Sequence, residues 1–269
     1  MIGDLFRRTF ATLVVELIRL DAKVRSGTDP EALHDARVAV RRLRSYLRTF
    51  RPVLDPVWAA TLRERLAWLN ERFAGARDLD VLVEKLEQRA ERAPPDEPSM
   101  PTGLIERLRA ERDERHRNVQ ATLRDPRYLA LLEEIVAAAR QPQLNGHAHE
   151  APRQGMRRLL SAVWKRARKP VREFGSDPTD DQLHAIRIKA KHVRYAAECF
   201  EALAGKRAKT LAHHTARLQN VLGDYRDAVM AAARLRELPG VPLELFPLPT
   251  RPRWRKVWQK MQTAYRRLS

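Results

Sequence analysis

At 269 residues the chain is long enough to bury a sizeable core, as one large domain or two small ones. Its 52 lysines and arginines outweigh 34 aspartates and glutamates, and the net charge of +18 attracts polyanions (nucleic acid, anionic membrane, inorganic phosphate polymers) without choosing among them. The single cysteine, Cys199, excludes an internal disulfide and a Cys-rich zinc site, and no apolar run approaches the roughly 20 residues that cross a bilayer.

Helical periodicity dominates and no strand alternation appears. The first helix is expected from Ile2 to Arg25, with Phe6, Phe10, Leu13, Leu17 and Leu20 along one side. Asp4, Arg7, Arg8 and Glu16 interrupt its apolar pattern, so it reads as an amphipathic helix rather than a secretory signal, and a cytoplasmic protein is expected. Gly27 ends it, and Asp29-Pro30 opens the next helix with a capping side chain and a proline in the first turn.

That second helix, Leu33 to Phe50, is the most informative stretch. His34, Arg37, Arg41, Arg44 and Arg48 recur at steps of three and four and share one face, with Arg42 beside them. Ala36, Val40, Leu43, Leu47 and Phe50 share the opposite face, which suits a core. The basic row spans about 21 Å at helical rise, a shape for an extended anion rather than one small phosphate. A solvated face normally mixes signs, yet this one carries no acid, and a row of cations repels itself unless an anion offsets it.

Pro52 stops that helix, and the next covers about Pro56 to Phe73, with Trp58, Leu62, Leu66 and Leu69 inward. A break is expected at Gly75, before Arg77-Asp78 and a further helix to about Arg92. A proline-rich loop, Ala93 to Pro101, leads to helices at about Gly103 to Leu123 and Pro126 to Arg140. The first of these pairs Glu with Arg at i to i+4 and reads as a solvated face. Gln141 to Pro152 reads as a linker.

The chain then begins again. Met156-Arg157-Arg158 repeats Phe6-Arg7-Arg8 at an offset of 150, in a helix reaching about Phe174. Thr179 to Gln182 forms a capping box ahead of Leu183 to Phe200, where His184, Arg187, Lys191 and Arg194 retrace the basic stripe. Ile186, Ala190, Val193, Ala197 and Phe200 retrace the apolar one, with Cys199 read as an inert, partly buried thiol. A helix from Lys206 to Leu222 precedes Gly223 and the pair Arg226-Asp227, and a last basic helix runs from Arg253 to Leu268. From histidine to Arg-Asp pair is 43 residues in the first half and 42 in the second, which makes the motif an architecture. The fold class expected is therefore all-α: one domain of two pseudo-symmetric helical bundles, 2–140 and 153–268, joined by a linker at 141–152. The two stripes would line a shared basic groove or pore.

Chemistry is harder to find. The histidines heading the stripes have no nucleophile to activate and suit hydrogen bonds to phosphate. His213-His214 and His147-x-His149 lack a carboxylate or thiol to complete a metal set, and no cofactor is expected. There is no Gly-rich phosphate loop and no Gly-x-Ser-x-Gly or His-Glu-x-x-His motif. A phosphohydrolase needs carboxylates to hold its metal, and the stripes offer none. A nucleic-acid binder is the other rival, but the stripe has neither Asn nor Gln to read bases nor stacking aromatics. Binding without catalysis is the expectation.

The pattern His-x-x-Arg-x-x-x-Arg-Arg-Leu-Arg, Gly-x-Arg-Asp-Leu-Asp-Val, Arg-x-x-x-Lys-x-x-Arg-Tyr and Leu-Gln-x-x-Leu-Gly-x-x-Arg-Asp resembles the CHAD family, the conserved histidine α-helical domain, over about Ile2 to Leu268. The resemblance implies two bundles around a basic centre that bind inorganic polyphosphate, with some members on polyphosphate granules. It carries the binding role to His34, Arg37, Arg41, Arg42, Arg44, Arg48 and Arg77, and to His184, Arg187, Lys191, Arg194 and Arg226. His192 stands where an arginine is commoner. The glutamate-rich triphosphate-tunnel domain of many relatives has no counterpart here, so its phosphatase activity is not implied.

Overall fold

The apolar stripes of both basic helices point inward: Ala36, Val40, Leu43, Leu47 and Phe50, and Ile186, Ala190, Val193, Ala197 and Phe200, are all buried. The computed structural model describes every residue except 28, 30, 93–102, 176, 237–248 and 269, and the side chains of Arg77, Asp78, Lys85 and Arg92 also lie outside the description. Among the described residues the chain is all-α and has no strand. The first five helices are α1 (Ile2–Ser26), α2 (Ala32–Thr49), α3 (Pro56–Arg92), α4 (Leu104–Arg124) and α5 (Pro126–Arg140). Then come α6 (Pro152–Glu173), α7 (Asp180–Cys199), the single turn α8 (Glu201–Ala204), α9 (Lys206–Arg236) and α10 (Trp254–Leu268).

Local signals set most of these limits. Gly27 closes α1 at φ 64°, a left-handed conformation that suits glycine, with its N–H on the Lys23 carbonyl. Asp29 accepts the Glu31 N–H at 3.0 Å ahead of α2. The capping box at Thr179 forms: the Gln182 N–H reaches the threonine hydroxyl at 3.3 Å, and the Thr179 N–H reaches the glutamine oxygen at 2.9 Å.

Two expected breaks are absent. α3 runs straight through Gly75 and α9 straight through Gly223. One glycine in a helix interior costs only about 1 kcal/mol, which packing along helices of 37 and 31 residues offsets. Both glycines mark places where another helix's arginine comes close. A Cβ at Gly223 would stand 3.3 Å from Arg187 Nε, and one at Gly75 would make an ordinary 3.6 Å contact with Arg115.

α1 packs on α2, α4 and α5, and α3 on α2, α4 and α5; α7 packs on α6 and α9, and α10 on α9. The two sets meet through α2 against α7 and through α6 against both α1 and α2. The joining segment is pinned rather than loose. Asp55 N–H donates to the Gln143 carbonyl at 2.9 Å, Asn145 N–H to Val53 at 3.1 Å, and the Asn145 side-chain amide to Leu54 at 2.9 Å. One apolar core spans both sets, and its centre is aromatic: Phe50 lies 5.3 Å from Phe6 and 5.7 Å from Phe200, ring centre to ring centre. Trp58, expected inside, is only half-buried. Cys199 is fully enclosed, donates to the Thr9 hydroxyl, and has its thiol pushed up to about 12 by burial. No described helix is long and apolar enough to cross a membrane.

Candidate anion-binding seam

Because α2 and α7 each give their apolar face to the shared core, the contact between them also brings their basic faces together. His34, Arg37, Arg41, Arg44 and Arg48 on α2, and His184, Arg187 and Lys191 on α7, are all half-buried rather than solvated. Lys191 sits among arginines of both helices. Burial first, then Arg41, Arg187, Arg37 and Arg44, bring its ammonium down to about 7. Burial and the neighbouring Arg63 lower Arg44 and Arg48, with Arg166 also acting on Arg48. His184 is lowered by burial and by Arg226, Arg187 and Lys191, which favours its neutral form.

The seam is short of acceptors. Among the described residues, no carboxylate lies within ion-pair distance of Arg41, Arg44, Arg48, Arg187 or Lys191. The Nε groups of Arg41, Arg44 and Arg187 and the Nδ1 of His184 are buried with no hydrogen-bond partner. A buried donor left in that state costs about 1–3 kcal/mol. Several cations elsewhere do have acids: Arg109 pairs with Glu87 at 2.7 Å, Arg112 with Asp113 at 2.9 Å, and Arg234 with Glu111 at 3.3 Å. The seam thus gathers several half-buried guanidinium groups with unpartnered Nε atoms in one place.

Other expected contacts have protein partners. Arg42 and Arg194 share Glu198, at 3.3 and 2.7 Å, and Arg42 also lies over the Tyr195 ring at 5.9 Å. They form a clamp between the helices, with half of their charge cancelled by one carboxylate. Arg226 stands 3.8 Å from the exposed Asp181. Arg37 donates from Nη1 to the Ala74 carbonyl at 3.2 Å. His34 lies in the first turn of α2. The Arg77 side chain is outside the described residues.

Two residues near the seam, Arg63 and Arg166, escaped the sequence reading, and a third, His192, was noted there only as a departure from the family pattern. His192 meets Arg48 across the helix contact, Nε2 to Nη1 at 2.7 Å. The available signal was its departure from the repeat, since it takes the place of Arg42 at the 150-residue offset. Arg63 on α3 and Arg166 on α6 act on the Arg48 end. Neither belongs to a stripe, and only tertiary packing brings them there.

The CHAD domain family profile matches residues 8–236, and the chain belongs to the CHAD domain family. It is 25% identical over 243 residues to the uncharacterized protein Rv2226 of Mycobacterium tuberculosis, a match that covers 87% of this chain and 45% of that one. The chain thus spans less than half the length of that relative. Among solved structures, PptA from Streptomyces chartreusis superposes with a TM-score of 0.72 at 21% identity, over 98% of this chain and 99% of that one. The CHAD domain from the plant Ricinus communis superposes with a TM-score of 0.70 at 24% identity, over 100% and 85%. At these identities the likeness is one of fold.

Proposed function

We infer that the chain binds inorganic polyphosphate along the α2–α7 seam, by electrostatics and hydrogen bonding and with no reaction of its own. The observation that carries this reading is the set of half-buried cations, Arg41, Arg44, Arg48, Arg187 and Lys191, that have no carboxylate partner among the described residues. A linear polyanion supplies both the charge and the acceptors they lack. Arginine suits the task because its planar fork donates to two oxygens and keeps its charge at cellular pH. Family membership points the same way, since polyphosphate binding is what the likeness to CHAD proteins implies. The cellular role that follows is attachment to polyphosphate granules in the cytoplasm.

Competition binding with long-chain polyphosphate, duplex DNA and heparin tests the reading. Polyphosphate is expected to win against both at equal phosphate or sulfate concentration. Six to eight contacted phosphates would give a log–log salt slope of about −4 to −7 if nucleic-acid counterion behaviour transfers. Preference for DNA, or affinity that ignores salt, overturns it.

A further inference from the structure

Lys191 is half-buried where α2 meets α7, inside a cluster of guanidinium groups, and burial with those neighbours lets it shed its charge near neutral pH. Arg37, Arg41 and Arg44 face it from α2, Arg187 and His184 share its own helix, and the neighbouring His192 is held neutral by burial and then by Arg48. Arg226 of α9 acts on His184, and among the described residues no carboxylate lies within ion-pair distance of the amine. A lysine crowded by guanidinium groups and partly desolvated presents a free amine, which makes it a nucleophile. The same guanidinium groups would dock a small dianion beside it.

We propose that Lys191 is an acylation site for small acyl phosphates of the acetyl phosphate class, which dock by their phosphate on the seam arginines and switch anion binding off by acylating the amine. The Nζ lone pair attacks the carbonyl carbon, an N–C bond forms, and the C–O bond to phosphorus's oxygen breaks. Hydrogen phosphate leaves with the bonding pair and the amine proton. No oxidant or further reactant is required. The amide that remains is neutral and bulkier, so the centre of the seam loses its charge and is blocked. The switching part of this proposal rests on the seam being the polyphosphate site.

The test incubates the full chain with acetyl phosphate at pH 7.5 and follows each lysine by peptide mass spectrometry. Lys191 is expected to react on the order of tenfold faster than Lys165, Lys206 or Lys260, since the gain in free amine outweighs the lower nucleophilicity of a weaker base. Acetic anhydride, which has no phosphate to dock, should show less preference, and Arg41→Gln with Arg187→Gln should slow Lys191 selectively. Long-chain polyphosphate should protect it. Treated wild type should lose polyphosphate affinity, whereas treated Lys191→Arg, which cannot be acylated there, should keep it. Equal acetylation of all these lysines overturns the proposal, and the seam reading stands if polyphosphate binding to untreated protein is intact. Rapid acetylation of Lys191 with no change in polyphosphate affinity overturns the switch, and the seam reading with it.

Discussion

Arg48 of α2 and His192 of α7 meet nitrogen to nitrogen across the seam at 2.7 Å. A guanidinium can only donate, so Nε2 of the imidazole accepts, and its proton sits on Nδ1, facing the Ser45 hydroxyl at 3.4 Å. Burial, then Arg48 and Lys191, bring the ring down to about 3, and it stays neutral. His192 therefore aims Arg48 without adding charge to a crowded site.

From this contact follows an acid-stability test. The folded ring titrates near 3 against an ordinary 6.5, so the unfolded chain binds the extra proton between those values. The contribution is complete above about 6.5 and is lost as pH falls toward 3. His192→Gln keeps an acceptor but cannot titrate, and its thermal stability should fall less than wild type's between pH 6.5 and 4. His192→Ala should cost about 1–3 kcal/mol at pH 7 and weaken polyphosphate binding, because Arg48 loses its anchor. Parallel pH curves for wild type and His192→Gln would show that the ring is not held neutral.

Lys191 should trade stability for affinity. Its folded value near 7 lies below the ordinary 10.5, so the unfolded chain holds the proton more tightly across that window. Stability from this group rises from pH 7 to about 10.5, and at pH 7 and below the full penalty applies. Lys191→Met, similar in length and uncharged, is expected to raise the melting temperature of the ligand-free protein at pH 7 by about 2–4 °C for each kcal/mol relieved, with the gain shrinking toward pH 10. Polyphosphate affinity should drop about tenfold or more. Calorimetric melting at pH 7 and 10, with a binding titration, reads both.

The two mid-helix glycines should part company. Gly75→Ala meets only ordinary contacts and is expected to stabilise by about 1 kcal/mol through helix propensity, with polyphosphate binding unchanged. Gly223→Ala sets a Cβ 3.3 Å from Arg187 Nε and shifts that side chain. A several-fold loss of affinity is expected there without loss of helicity. Equal affinity in both variants would remove Arg187 from the site.

Position should matter more than total charge. Arg41→Glu with Lys191→Glu puts two carboxylates among unpaired cations and is expected to abolish polyphosphate binding with circular dichroism unchanged. Arg109→Glu with Arg112→Glu changes net charge equally but acts away from the seam on residues already paired with acids. Its effect should be at most a few-fold. Equal losses would mean that only the overall field counts.

Helix identity and facing were legible because a 3.6-residue period constrains every turn, and all ten apolar positions on the two basic helices are buried as read. The capping box at Thr179 and the stop at Gly27 were legible for the same reason: each is a local hydrogen-bond pattern. Gly75 and Gly223 misled because glycine also marks close approach between helices, and sequence alone does not tell a turn from a crossing. Spacing alone suits the i, i+4 arm from Arg194 to Glu198, but the Arg42 arm was hidden because Glu198 lies in the other half of the chain and its reach depends on how α2 and α7 pack. Arg63 and Arg166 carried no signal, since no period links them to the stripes.

The aromatic junction of Phe6, Phe50 and Phe200 has a further consequence for how the chain holds itself together. The contact that closes the core also forces two like-charged surfaces into proximity, so attraction and repulsion act at one interface. Were the halves separate molecules, they would have to overcome that repulsion at cellular concentration. Covalent continuity through the pinned segment at 141–152 makes their meeting intramolecular, equivalent to a partner at about millimolar concentration. A chain cut within that segment would be expected to hold together only while a polyanion bridges the cations, which would turn a permanent fold into a ligand-dependent assembly.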